Sequence, residues 1–129
     1  MINYNHFETE IYSRFPDSML YVRNMCDGGN RPGFRPHSGR NDPWAFPGAE
    51  KFYDELAQKS NSVGHLETED EWLDRHDINI VLAFFGTAEA LDKQEANDLL
   101  KEEYAAFITH SLEQKYHPER PTQLVLISP

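Results

Sequence analysis

Residues Ile78-Asn-Ile-Val-Leu-Ala-Phe-Phe-Gly-Thr-Ala-Glu89 decide how this chain folds. An almost unbroken apolar run stops at Gly86, and a short polar-capable turn follows. Such a run reads as a central strand of a parallel sheet, buried on both faces. A second apolar run, Leu124-Val-Leu-Ile127, lies within a strand expected over Thr122 to Ser128. Between the two, apolar residues recur at helical spacing. Ala96, Leu99, Leu100, Tyr104, Phe107, Ile108 and Leu112 mark one face of a helix expected from Lys93 to Tyr116. Asp92, three residues before Glu95, has capping-box spacing at its start, and Pro118 and Pro121 close the segment. Strand, helix, strand is the pattern of a parallel βαβ crossover.

Working outward, Tyr4, Phe7, Ile11 and Phe15 predict an amphipathic helix that ends at Pro16-Asp17. Met19-Leu-Tyr-Val-Arg-Asn24 follows as a short strand. Between Asp27 and Gly48 the composition changes, with five of the seven glycines and four of the eight prolines. Arg31, Arg35, His37 and Arg40 also fall there, against only Asp27 and Asp42, so 27–48 is a long, locally basic loop. Loops of that length inside a compact domain are often functional. A helix over Ala49 to Lys59 carries Phe52, Tyr53 and Leu56, and a shorter one over Glu69 to Arg75 turns Trp72 and Leu73 inward.

The 129 residues suit one domain of 1–129, with an α/β fold: a parallel sheet with helices on both faces. A net charge of −10 argues against nucleic acid or an anionic membrane as the main partner. The single Cys26 excludes an internal disulfide and a cysteine-rich zinc site. No apolar run reaches the ~20 residues that span a bilayer, and the first residues lack signal-peptide character. The six histidines include no i, i+4 pair, so no metal is expected, and no cofactor is expected either. The chain opens on a helix that should follow a strand and stops after a buried-type strand. Both ends therefore read as cut, and the uncovered sheet predicts self-association, which a clean monomer in light scattering would overturn.

In order and spacing these segments resemble the SGNH (GDSL-like) hydrolases, in a subgroup common in environmental bacteria. Arg14-Phe-Pro-Asp17 with Arg23-Asn24 looks like the approach to that family's second block, and Gly29 falls at the block's glycine. Phe34-Arg-Pro-His37 and Trp44-Ala-Phe-Pro-Gly-Ala-Glu-Lys-Phe52 are similar to a subgroup insertion. Phe84-Phe-Gly-Thr-Ala-Glu89 matches the third block, where the family has Gly-x-Asn followed by an acid. The resemblance implies a flavodoxin-like three-layer α/β/α sandwich and a serine nucleophile acting on an acyl or carbohydrate ester. It also implies a parent that is often secreted or periplasmic, although the chain itself leaves the compartment open.

By family position Gly29, Gly86 and Ala88 occupy the oxyanion region, while Gly29 also reads as a turn glycine and Gly86 as a strand-terminating one. Arg31, Arg35, His37, Arg40 and Glu89 are the candidate substrate contacts. The alternative for the arginines and His37 is pairing with the acidic body to hold the loop down, and for Glu89 a solvated loop position. Trp44 and Phe46 are expected to anchor the loop in the core. The chain holds no Gly-Asp-Ser segment and no Asp-x-x-His pair, and Ala88 replaces the amide donor. The expectation is a fragment of such an esterase that is inactive by itself. Its alternative is a non-catalytic ligand- or carbohydrate-binding module on the same fold. A phosphate site at Asp27-Gly28-Gly29-Asn30 is a weaker reading, because that turn does not open a helix directly.

Overall fold

A computed structural model describes residues 6–35, 43–52, 67–86 and 94–128, with 94–97 described as backbone only. The chain divides into two compact units, Met1–Asn30 and Arg31–Pro129.

The first unit holds helix α1, His6–Arg14, closed by Arg14 Nε donating to Glu10 Oε1 at 2.6 Å one turn back. No residue of α1 is buried. The strand expected at 19–24 does not form. That segment has no regular structure and enters no ladder, and Met19, Leu20 and Tyr21 are exposed. A strand is made by its partner, and among the described residues none pairs with it. Within this unit the Asp27-Gly28-Gly29-Asn30 segment is a turn closed by Asn30 N–H on Asp27 O at 3.4 Å.

The second unit is a small mixed α/β structure. It contains a 3-10 turn at Ala49–Phe52, helix α2 at Glu69–Arg75, strand β1 at Ile80–Ala83, helix α3 at Gln94–Glu113 and strand β2 at Gln123–Leu126. β1 and β2 pair in parallel, Ile80 opposite Gln123 and Ala83 opposite Leu126. Gln123 N–H donates to Asn79 O at 2.8 Å and Ile127 N–H to Ala83 O at 3.0 Å, extending the ladder beyond the strands. Thr122 Oγ1 donates to Ile78 O at 3.0 Å and ties the entry of β2 to that of β1.

Both strands are shorter than their apolar runs. They are also not buried on both faces, since Ile80, Val125 and Leu126 are exposed. α3 packs against β2 and against the 3-10 turn. The core gathers Ala45, Phe46, Ala49, Ala83 and Phe107. Phe85, Tyr104 and Phe107 meet edge to face at centroid separations of 5.6 to 6.1 Å, an arrangement that aligns ring edges with ring faces.

The helix expected over 49–59 is a 3-10 turn as far as Phe52, and its remainder lies outside the described residues. So do Asp92 and the capping contact expected there. A capping box does exist, at α2. Glu71 N–H donates to Thr68 Oγ1 at 3.2 Å, and Thr68 N–H donates to Glu71 Oε2 at 2.8 Å. Thr68→Ala is expected to cost about 1 kcal/mol, because it strips one orphan donor of its acceptor, and urea unfolding would measure it. α2 ends through Asp77 at φ 48, where a short polar side chain tolerates the left-handed conformation.

On α3 the buried stripe is Glu103, Phe107 and Ser111, while Leu112 is 62% exposed. The helix is therefore rotated from the face that its apolar residues alone suggest. Leu112 does not belong to the core, and a carboxylate does.

Candidate functional site

Two polar clusters lie in the second unit. The first clamps the beginning of the Gly/Pro-rich loop. Arg31 N–H donates to Phe34 O, Arg35 N–H to Pro43 O, and Ala45 N–H to Gly33 O, at 2.7 to 3.0 Å. These bonds surround the antiparallel bridge between Phe34 and Trp44. Glu103 reaches this strip from α3. Its Oε1 accepts from Gly33 N–H at 2.7 Å, and its Oε2 lies 3.4 Å from Arg31 Nε, with the carboxylate fully buried. Space at position 33 is tight. A Cβ there would stand 3.1 Å from Ala49 Cβ and 3.2 Å from Glu103 Oε1.

The second cluster centres on Asp70 in the first turn of α2. Asp70 Oδ2 is 2.7 Å from His110 Nε2, and Oδ1 accepts a short hydrogen bond from the Tyr116 hydroxyl. The His110 ring stacks on Phe46 at 5.3 Å. Burial, first, and then the hydrogen bond to Asp70 and its negative charge raise the Tyr116 pKa well above its ordinary value. Arg35 and Ser111 act in the opposite direction. Arg35 lies over the rings of Phe85 and Phe107 at 5.2 and 5.4 Å, with Nη1 3.9 Å from Glu69 Oε1. Its Nη2 also donates to Pro32 O at 3.1 Å.

A cleft of about 560 Å³ opens beside this cluster, lined by Trp44, Phe46, Glu50, Thr68 and Asp70 among others. Among the described residues no three His, Cys, Asp or Glu side chains gather as a metal site. No helix among them is long and apolar enough to cross a membrane.

The candidates from sequence are placed unequally. Gly86 is buried at φ 103, past the carboxyl end of β1. Gly29 has φ 84, is exposed, and belongs to the first unit. Arg31 Nε lies 3.4 Å from Glu103 Oε2 and Arg35 Nη1 3.9 Å from Glu69 Oε1. Phe46 is buried and Trp44 half-buried against the same core. His37, Arg40, Ala88 and Glu89 lie outside the described residues.

Sequence reasoning missed Glu103, Asp70, His110 and Tyr116. Only Thr68-x-x-Glu71, a capping-box spacing that sets the start of α2, offered a local sign of where Asp70 would sit. Comparison of the chain with family models, with curated proteins and with solved structures finds no match.

Proposed function

We propose that this chain is part of a serine ester hydrolase of SGNH type, supplying the crevice side of the site rather than the nucleophile. One observation carries this reading. β1 and β2 pair in parallel with α3 between them in sequence, and β1 runs on to a buried Gly86 with positive φ. Open α/β sheets bind ligands beyond the carboxyl ends of their strands. A residue at φ 103 turns the backbone there without the clash a side chain would bring. In this reading β1 and β2 belong to the parallel sheet of a three-layer sandwich, and the substrate is an acyl or carbohydrate ester.

Such chemistry needs a serine hydroxyl beside a base, and donors aimed at the oxyanion. Neither a Gly-Asp-Ser segment nor an Asp-x-x-His pair is among these 129 residues, and position 88 is alanine. The chain alone is therefore expected to leave p-nitrophenyl acetate at its buffer rate of hydrolysis.

The coding sequence on either side is expected to contain the serine block upstream and the Asp-x-x-His block downstream. The protein extended to include them should hydrolyse p-nitrophenyl acetate, and replacing that serine should abolish turnover. Ala88→Asn in the extended protein should raise turnover by at least about tenfold by restoring an oxyanion donor. In-frame stop codons on both sides, or turnover unaffected by removal of the serine, would overturn the proposal.

Ala88 itself favours a second reading, a non-catalytic module that keeps the crevice and binds an ester or carbohydrate. Binding of a non-hydrolysable ester analogue by an extended protein without turnover would select it.

A further inference from the structure

The cleft between residues 44–50 and the start of α2 lies apart in sequence from the Gly86 turn, and its chemistry does not depend on the ester-hydrolase reading. We infer that this cleft binds a small organic cation. At about 560 Å³ it has the size of a small-molecule site. Trp44 and Phe46 are among the residues that line it, and the two ionisable groups among its described lining residues, Glu50 and Asp70, are both carboxylates. No lysine, arginine or histidine is among the described residues that line it.

The two carboxylates differ in a way that suits recognition. Asp70 is fixed, with one oxygen bonded to His110 and the other to Tyr116, so its position is set before any ligand arrives. His110 is itself stacked on Phe46, one of the residues that line the cleft. The Tyr116 hydroxyl, protonated at neutral pH, donates to Asp70. Glu50 is exposed and makes no hydrogen bond or ion pair among the described residues, so its charge is uncommitted.

An anionic ligand would meet two negative groups, with no opposing charge among the described lining residues. A neutral polyol would gain hydrogen bonds but no charge attraction. An ammonium group gains both carboxylates and the negative face of an aromatic ring, and the chain's net charge of −10 draws cations toward its surface.

The test uses the full chain labelled with nitrogen-15 and titrated with choline chloride. Its neutral isostere 3,3-dimethylbutan-1-ol and glucose serve as comparators. Choline should produce saturable shifts at the amides of Ala45, Gly48, Glu50 and Asp70, with the neutral isostere binding at least about tenfold more weakly. Added sodium chloride should weaken choline binding. Glu50→Gln, at an exposed position outside the core, should weaken choline severalfold while the melting temperature stays unchanged. Trp44→Leu should weaken it further. Equal binding of the neutral isostere, preferential binding of glucose, or no saturable shift with choline would each overturn the inference. So would undiminished choline binding in both variants.

Discussion

Glu103→Ala is expected to lower the unfolding free energy by about 3–5 kcal/mol, the cost of breaking a buried charged pair by removing one partner. Glu103 has no exposed surface, and its two oxygens face Gly33 N–H and Arg31 Nε. Alanine at 103 leaves the Gly33 amide buried without its acceptor, deprives Arg31 of this counter-charge, and opens a cavity on α3. Glu103→Gln keeps an acceptor for Gly33 and removes only the charge, so its loss should be about half as large. Glu103→Leu should resemble alanine more than glutamine, because filling the space does not satisfy the amide.

Gly33→Ala probes the same contact from the loop side, where a Cβ would press on Ala49 and on the carboxylate. The losses from Gly33→Ala and Glu103→Ala should be less than additive, since each breaks the contact the other depends on. Urea unfolding of the two single variants and the double variant measures this. A loss below about 1 kcal/mol in Glu103→Ala, the level of an exposed pair, would show that the carboxylate does not hold the loop.

The second large effect belongs to Asp70. Asp70→Ala removes the acceptor of both the Tyr116 hydroxyl and His110, and is expected to cost about 2–3 kcal/mol, charge-assisted hydrogen bonds being the stronger kind. The side chain is 29% exposed, so water takes over part of the loss. A pH signature accompanies it. Tyr116 has a raised pKa in the folded chain, so the folded state holds its proton where the unfolded chain has lost it. The stability this contributes is complete below the ordinary tyrosine value near 10 and is lost as pH rises above it.

Chemical unfolding between pH 8 and 11 should therefore show stability falling at the alkaline end, with a shallower fall in Tyr116→Phe. Asp70→Ala should reduce the slope without removing it, because burial, the largest cause, remains. An unchanged alkaline slope in Tyr116→Phe would overturn the assignment.

The parts of this fold legible in sequence are those that local pattern specifies. The two apolar runs become parallel strands, and the spacing between them becomes α3. The 19–24 run looked equally strand-like, yet a ladder needs a neighbour as well as β-branched and aromatic residues. The stripe of α3 was misjudged at Leu112 because apolar residues alone were used to find it. Glu103 and Ser111 occupy the buried line instead, and hydropathy assigns both to the surface.

Arg31 and Arg35 stood out as charge concentrated in a loop. The carboxylates they meet, Glu103 on α3 and Glu69 on α2, are distant in sequence, and no local pattern reveals them. Asp70 and His110 are 40 positions apart, and nothing in either neighbourhood announces the other. Conversely, Thr68 and Glu71 were readable as a cap, by the same spacing that drew attention to Asp92 and Glu95.

The bond between Gly33 and Glu103 joins residues 70 positions apart, whereas α3 closes through bonds four positions apart. Helical turns form within about a microsecond, and joining distant segments costs chain entropy before any contact repays it. The expected order is therefore the helix first and the arginine strip afterwards. For a contact made after the rate-limiting barrier, damage appears in how fast the native state comes apart rather than in how fast it is reached. On that order the Gly33–Glu103 clamp is expected to act as a latch, with Glu103→Ala raising the unfolding rate in stopped-flow experiments more than it lowers the folding rate.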